Sequence, residues 1–220
     1  MTRFTAACVT DPVLADLAVT YGEEIEVARR DVIFTQGDQD NQFYIIRSGK
    51  VKTCLNAGRD GEQLLEIHGP AEMFGELSMF DSRPRTSTAI AVTDVRAIGI
   101  GLATAREWIN ERPHLAEYML RSLARQVRRT NDNRADLIFN DVPGRVARAL
   151  LQLAARFGHM EGGTLRLVHD LTQTELAQYI GATRETVQRA LSGFARRGWL
   201  QVEGRSVLIF DLDQLLRRAR

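Results

Sequence analysis

Between Thr172 and Gly198 the chain reads Thr-Gln-Thr-Glu-Leu-Ala-Gln-Tyr-Ile-Gly-Ala-Thr-Arg-Glu-Thr-Val-Gln-Arg-Ala-Leu-Ser-Gly-Phe-Ala-Arg-Arg-Gly. Few backbone arrangements satisfy it. Thr172 with Glu175 three residues later is a capping box, which fixes the start of a first helix. Leu176, Ala177 and Ile180 give that helix one apolar face. Gly181 permits a tight turn. Thr183 caps a second helix, whose apolar face is Val187, Ala190, Leu191 and Phe194. Arg184, Glu185, Gln188 and Arg189 are left on the other side. Two capped helices around one glycine have the layout of a helix-turn-helix, whose second helix enters a DNA major groove. There arginine can donate two bonds to guanine O6 and N7, and glutamate can accept from cytosine N4. Thr172, Gln173 and Thr183 stand at helix N-termini, where backbone N–H groups already favour phosphate. A plain helical hairpin with a solvated face would carry the same caps. The following residues favour DNA: Trp199–Glu203 and Ser206–Phe210 flank Gly204-Arg205 and predict a β-hairpin, the wing of a winged helix.

The front of the chain has a different period. Glu24–Ala28, Val32–Thr35, Phe43–Ile46, Val51–Leu55, Leu64–His68, Ser87–Val92 and Val95–Ile100 are short β-type runs. Glycines and aspartates punctuate them, most clearly at Arg47-Ser-Gly-Lys and Arg59-Asp-Gly-Glu. Many short strands at regular spacing predict a roll or sandwich. Asp11–Thr20 predicts a turn or two of helix before them. The period becomes helical at Thr104. Thr104–Arg112 is a short helix, and Pro113 opens a longer one over His114–Phe139.

Along that long helix Ala116, Met119, Leu123, Gln126, Thr130, Asn133 and Leu137 recur at a/d-like spacing. The helix either packs only on its own domain or pairs with its twin across a two-fold axis. Leu120, Ala124 and Val127 form a second stripe, so one stripe can cover the sheet and the other a partner. The expected seam is the first stripe, at Met119 and Leu123. Asp141-Val-Pro-Gly is the hinge, with Asp141 as a cap and a helix resuming over Arg145–Phe157. Gly158–Gly163 is expected as a loop, Leu165–Val168 as a strand and Asp211–Arg220 as a short closing helix.

A second motif, Phe74-Gly-Glu-Leu-Ser-Met-Phe, precedes Pro84-Arg85-Thr86. Ser78-Met-Phe reads as the first turn of a short helix whose free N–H groups point at an anion; a guanidinium plus a helix N-terminus, with the Thr86 hydroxyl beside it, is a phosphate site, and Glu76 can accept from a ribose hydroxyl. The alternative is a structural turn with an ion pair.

Charge distribution agrees with a sensor joined to a nucleic-acid binder. From Asp141 onward twelve arginines face eight acidic residues, whereas seventeen basic residues face twenty acidic ones before it. Cys8 and Cys54 are too few for a four-cysteine cluster, and His68, His114, His159 and His169 are scattered, so no metal is expected. No run has the length of a membrane span and no leader is evident, which predicts a cytoplasmic protein without membrane contact. No nucleophile–base pair or phosphate-cradling glycine loop supports catalysis, so an enzyme is not expected.

Phe74-Gly-Glu-Leu, Arg85-Thr86, Thr130-Asn131, Asp141-Val-Pro-Gly-Arg and Thr183-Arg-Glu-Thr-Val together resemble the cyclic AMP receptor protein (CRP/FNR) family of bacterial transcription regulators. The likeness runs from Val32 to the end and leans to the actinobacterial branch, through Arg129-Thr-Asn and Asp136-Leu-Ile-Phe-Asn-Asp-Val-Pro-Gly-Arg-Val-Ala. It implies an α+β chain: a jelly-roll-like cyclic-nucleotide-binding β-roll over residues 1–112, a dimerisation helix over 113–140 and a winged helix-turn-helix over 141–220. It implies that Gly75, Glu76 and Leu77 hold the ribose and phosphate of cyclic AMP. Arg85 and Thr86 would hold the cyclic phosphate, and Thr130, with Asn131 of the partner subunit, the adenine. Thr172, Gln173 and Thr183 would anchor double-stranded DNA, while Arg184, Glu185 and Arg189 read a palindromic TGTGA-type operator. A homodimer that engages RNA polymerase follows from the same resemblance. Ser82-Arg83 departs from the branch's usual Pro-Gly and sets a second arginine beside the pocket. Two rivals stand beside this reading: the same DNA binder with another effector or none, and a cyclic-nucleotide module that regulates a partner protein without DNA.

Overall fold

The computed structural model describes residues 22–56, 62–81 and 83–219. The expected helix at Asp11–Thr20, the tip of the Arg59-Asp-Gly-Glu turn and Ser82 lie outside them. Two compact units meet within one long helix, between Arg129 and Thr130.

The first unit is a roll of two four-stranded antiparallel sheets. One has the order β1 (Glu23–Val27), β8 (Val95–Gly101), β3 (Gln42–Ser48), β6 (Met73–Phe74); the other has β2 (Val32–Phe34), β7 (Thr88–Ala91), β4 (Val51–Asn56), β5 (Glu62–His68). The strand expectations hold to within a residue or two at most ends; the two-residue β6 escaped notice. β3 shows why its apolar run is unbroken. Successive side chains point to opposite faces of a strand. Tyr44 and Ile46 enter the inter-sheet core with Phe34, Val51, Phe74, Ala89 and Ala97, whereas Phe43 and Ile45 face a second core. Gly49 turns β3 into β4 at φ +87°, where a Cβ would stand 2.2 Å from the Asp94 carbonyl oxygen.

The second core is closed by helices: α1 (Leu77–Asp81), α2 (Leu102–Glu111) and α3 (His114–Phe139). Met79, Ala105, Trp108, Leu115 and Met119 pack there with Ile98 and Ile100. This overturns the assignment of the helix stripes. Met119, expected at a seam between subunits, is buried in its own domain, and Leu123 is partly buried; Leu120 and Val127 are 65% and 58% exposed. Leu115 and Met119 lie one turn apart in the same buried cluster as Trp108, which claims that face for the monomer.

In the second unit Asp141 caps α4 (Val142–Phe157), its Oδ1 accepting from the Gly144 N–H at 3.0 Å, with Pro143 in the first turn. Asp136 accepts from Arg148 at 2.7 Å and from the Asn140 amide at 2.9 Å, and Arg145 donates to the Asn140 and Gly181 carbonyls at 3.2 and 3.0 Å. The end of α3 is thereby tied to α4 and to the turn beyond it. β9 (Gly158–Glu161) corrects the expected loop: it pairs antiparallel with β10 (Thr164–Val168), and only Gly162-Gly163 turn between them. Gly158 joins the helix to the strand at a position that admits only glycine, since a Cβ there would lie 2.3 Å from the Ala154 carbonyl oxygen.

Next come α5 (Gln173–Ile180) and α6 (Arg184–Arg196), then the hairpin β11 (Leu200–Glu203) and β12 (Ser206–Ile209), then α7 (Leu212–Arg218). The four strands form one sheet in the order β11-β12-β10-β9. Val146, Leu150, Leu153, Leu167, Leu176, Phe194 and Leu215 fill this unit's core, and Phe194 stacks on Trp199.

Candidate effector pocket and nucleic-acid interface

The candidate effector site begins where β6 ends. Gly75 takes φ +82°, and a Cβ on it would approach Arg85 Nη1 to 2.8 Å and the Phe34 ring to 3.1 Å. Both the backbone conformation and the crowding call for glycine. Arg85, 3% exposed, lies 4.0 Å from the centroid of the Phe34 ring. Its Nη1 donates to the Gly75 carbonyl at 2.5 Å and to Ser78 Oγ at 3.0 Å. Its Nη2 donates to Asp40 Oδ2 at 2.5 Å and to the Gln42 carbonyl at 2.6 Å. Its buried Nε finds no hydrogen-bond partner among the described residues.

Glu76 is buried beside this arginine. Burial pushes its carboxyl above the ordinary value, against its own backbone N–H and the charges of Arg85 and Arg129. Leu77 is 41% exposed. Thr86 is exposed next to buried Arg85. Arg83 has a 79% exposed side chain and pairs with Asp81 at 3.8 Å, away from the buried guanidinium's partners. Thr130 and Asn131 are exposed on α3 and belong to the other compact unit. Asp40 and Gln42 were not singled out from the sequence. Asp40 lies 45 residues from Arg85, and a lone aspartate in a turn signals only the turn.

The second site is a face of α5 and α6. Thr172 accepts from the Glu175 N–H at 3.2 Å while its own N–H donates to the Glu175 carboxylate at 2.7 Å, the expected reciprocal cap. Gly181 takes the left-handed conformation, φ +70°. The Thr183 hydroxyl accepts from the Thr186 N–H at 3.3 Å. Val187, Ala190, Leu191 and Phe194 are buried as expected. Thr172, Gln173, Thr183, Arg184, Glu185, Gln188 and Arg189 are all exposed. The helix N-terminus with its own backbone N–H and the Thr183 hydroxyl holds the Glu185 carboxyl below its ordinary value, so it is an acceptor at neutral pH. Arg189 is oriented by a 3.3 Å bond to the Thr186 hydroxyl. A concavity of about 560 Å³ between α6 and the hairpin is lined in part by Gln173, Gln188, Ser192 and Gln201.

Two of the four histidines have structural partners. His68 lies 3.3 Å from Thr53 Oγ1 and against the Phe74 ring, and His169 Nδ1 accepts from the Leu171 N–H at 3.1 Å. Among the described residues no cluster of histidine, cysteine and carboxylate side chains is grouped to hold a metal. No described helix is long and apolar enough to cross a membrane.

Comparison with known proteins assigns a family to each of the two regions. The cyclic nucleotide-binding domain family matches residues 24–112, and the Crp-like helix-turn-helix domain family matches residues 144–218. A CRP-like cAMP-activated global transcriptional regulator of Mycobacterium tuberculosis is 55% identical over 198 residues, 90% of this chain and 88% of that protein. The cyclic AMP receptor protein of Thermus thermophilus is 32% identical over 187 residues, 85% and 83% of the two chains. The solved structure of a CooA mutant from Carboxydothermus hydrogenoformans superposes with a TM-score of 0.79 over 96% of this chain and 95% of that one. At 23% identity that likeness speaks to the fold alone.

Proposed function

Because this chain belongs to the CRP/FNR family of transcription regulators, which are DNA binders and not enzymes, we propose that it is a cytoplasmic homodimer switched by cyclic AMP and directed to a palindromic TGTGA-type operator. The observation that carries the effector is the buried Arg85 guanidinium. A cation that far from water suits an anionic partner; Asp40 supplies one from within the chain, and the Nε–H is still without a hydrogen-bond acceptor among the described residues.

A cyclic phosphodiester fits this donor set. Arg85 and the Thr86 hydroxyl would hold the phosphate, Gly75 gives the backbone room beside the guanidinium, and Glu76 would accept from the ribose. Leu77 contributes through its backbone. Thr130, and Asn131 from the second subunit, would meet the base. When bound, the ligand supplies one negative charge and a flat polar ring. It shifts the equilibrium of the DNA-binding units only by its differential affinity for their arrangements.

The domain roles are then an effector domain over residues 1–112, a dimerisation helix over 113–140 and a DNA-binding domain over 141–220. For dimerisation the exposed Leu120, Ala124 and Val127 stripe is the better seam; Asn131 continues its heptad spacing. At the operator, Arg184 and Arg189 would each face guanine and Glu185 cytosine, with Thr172, Gln173 and Thr183 on phosphates. RNA polymerase is the natural partner of a regulator held at such a site. The test is a gel shift on a TGTGA-type palindrome with and without cyclic AMP, alongside calorimetric titration of the free protein. Cyclic AMP should bind and tighten the DNA complex. DNA binding indifferent to the nucleotide would leave the regulator but overturn this effector.

A further inference from the structure

The anion that Arg85 requires is already present, and it comes from the chain itself. Asp40 Oδ2 lies 2.5 Å from Arg85 Nη2. Both Nη atoms of the guanidinium are engaged by the chain, and only Nε lacks a hydrogen bond among the described residues. On the reading that the pocket takes cyclic AMP, the geometry points to Asp40 as an internal competitor for the effector's phosphate, whose carboxylate must leave Arg85 before the nucleotide can bind fully.

Three features carry this. First, the exchange is charge-matched. A carboxylate and a cyclic phosphodiester each bring one negative charge, so the buried cation stays neutralised on either side. Second, the two partners are unequally exposed. The Arg85 side chain is 1% exposed and that of Asp40 31%. Water can receive the departing carboxylate, whereas the arginine cannot leave without stranding a buried charge. The aspartate is therefore the member that moves. Third, its loop need not unfold. The Gly37 N–H donates to the Arg85 carbonyl and the Arg85 N–H to the Asp38 carbonyl, both at 2.9 Å, while the Asp38 carboxylate accepts from the Thr35 N–H at 2.8 Å. These bonds hold the turn beside Arg85 whether or not Asp40 does. Rotation of one short side chain frees Nη2. The other contacts of Asp40 are weaker, at 3.1 Å from the Gln42 N–H and 3.5 Å from the Tyr44 hydroxyl.

A competitor of this kind lowers apparent affinity by the fraction of molecules whose pocket is open. Asp40 would thereby set the nucleotide concentration to which the regulator responds. The Gln42 carbonyl also accepts from Nη2, at 2.6 Å, a bond that does not depend on Asp40 and can hold the arginine's orientation when the carboxylate departs.

The test is calorimetric titration of the full-length dimer with cyclic AMP, for wild type, Asp40→Asn, Asp40→Ala and Asp40→Glu. Asn keeps the shape and loses the charge; Ala removes the group and serves if the amide variant misfolds, with thermal melts checking both. Asn and Ala should bind cyclic AMP roughly ten-fold or more tightly than wild type, the scale of one charge-assisted bond, and Glu should keep affinity near wild type. Unchanged or weaker binding in the well-folded Asn and Ala variants overturns the competitor and makes Asp40 a bystander or a positioning residue for Arg85; the cyclic AMP assignment would stand, since wild type still binds. Binding by the variants alone would support the competitor in its strongest form. Binding by none of the four would overturn both the effector assignment and the competitor.

Discussion

Arg85 and Arg83 stand two residues apart and look alike in the sequence, yet one is 3% exposed and the other has most of its side chain in water. Only the buried one has lost the solvent that would otherwise stabilise its charge, so only there is an anion obligatory. Arg85→Leu is expected to abolish cyclic AMP binding in calorimetry, and Arg83→Leu to leave it within about two-fold, since exposed charges contribute little at physiological salt. Equal losses from both would place the phosphate at the surface instead. Glu76 gives a pH signature at the same scale. Burial lifts its carboxyl above the ordinary 4.5, so the folded protein holds that proton more tightly than the unfolded chain does. By linkage the stability it lends is full below 4.5 and is lost as pH rises through the folded value. Glu76→Gln cannot ionise. Its melting temperature relative to wild type should therefore move in the variant's favour between about pH 4 and about pH 7. A difference constant across that range would mean that the carboxyl is not held in a desolvated site.

At the scale of elements, α3 has two apolar stripes of similar strength, and periodicity does not say which one the domain keeps. Leu115 and Met119 are taken by Trp108 and the β3–β8 sheet, which leaves Leu120, Ala124 and Val127 outside. Leu120→Glu or Val127→Glu is thus expected to yield folded monomers by sedimentation velocity at micromolar protein, through like charges meeting at a two-fold seam. Met119→Glu should instead destabilise the effector domain by about 3 kcal/mol or more, because it buries an unpaired charge, and urea unfolding would detect it. A monomeric, fully stable Met119→Glu protein would restore the seam to the other stripe. The strand β9 makes a related point. Gly158 ends a helix, but its neighbours pair with β10 as soon as that strand is there to receive them.

For the whole molecule, the proposed function depends on two recognition helices being presented to one duplex. A two-fold dimer should prefer half-sites about one helical turn apart, roughly 10–10.5 base pairs between centres. Arg184→Ala should cost about 1–3 kcal/mol per half-site and relax preference at one base pair, whereas Gln173→Ala should weaken all sequences alike. Binding to operators with single-base changes, at fixed salt, separates the two; a uniform loss from Arg184→Ala would make it a backbone anchor. The winged helix, its caps and its glycine turn were legible because their causes are local. A side-chain oxygen reaches an N–H three residues away, an apolar face repeats every turn, and left-handed backbone calls for glycine. The strands of the roll were legible for the same reason, through alternation and turns. What only tertiary structure decided are the pairings between distant segments: Asp40 on Arg85, and Met119 in one core with Ile98 and Ile100. Each is selected by which surfaces are left to bury and which charges are left to neutralise once the chain has packed, and no spacing along the sequence encodes that.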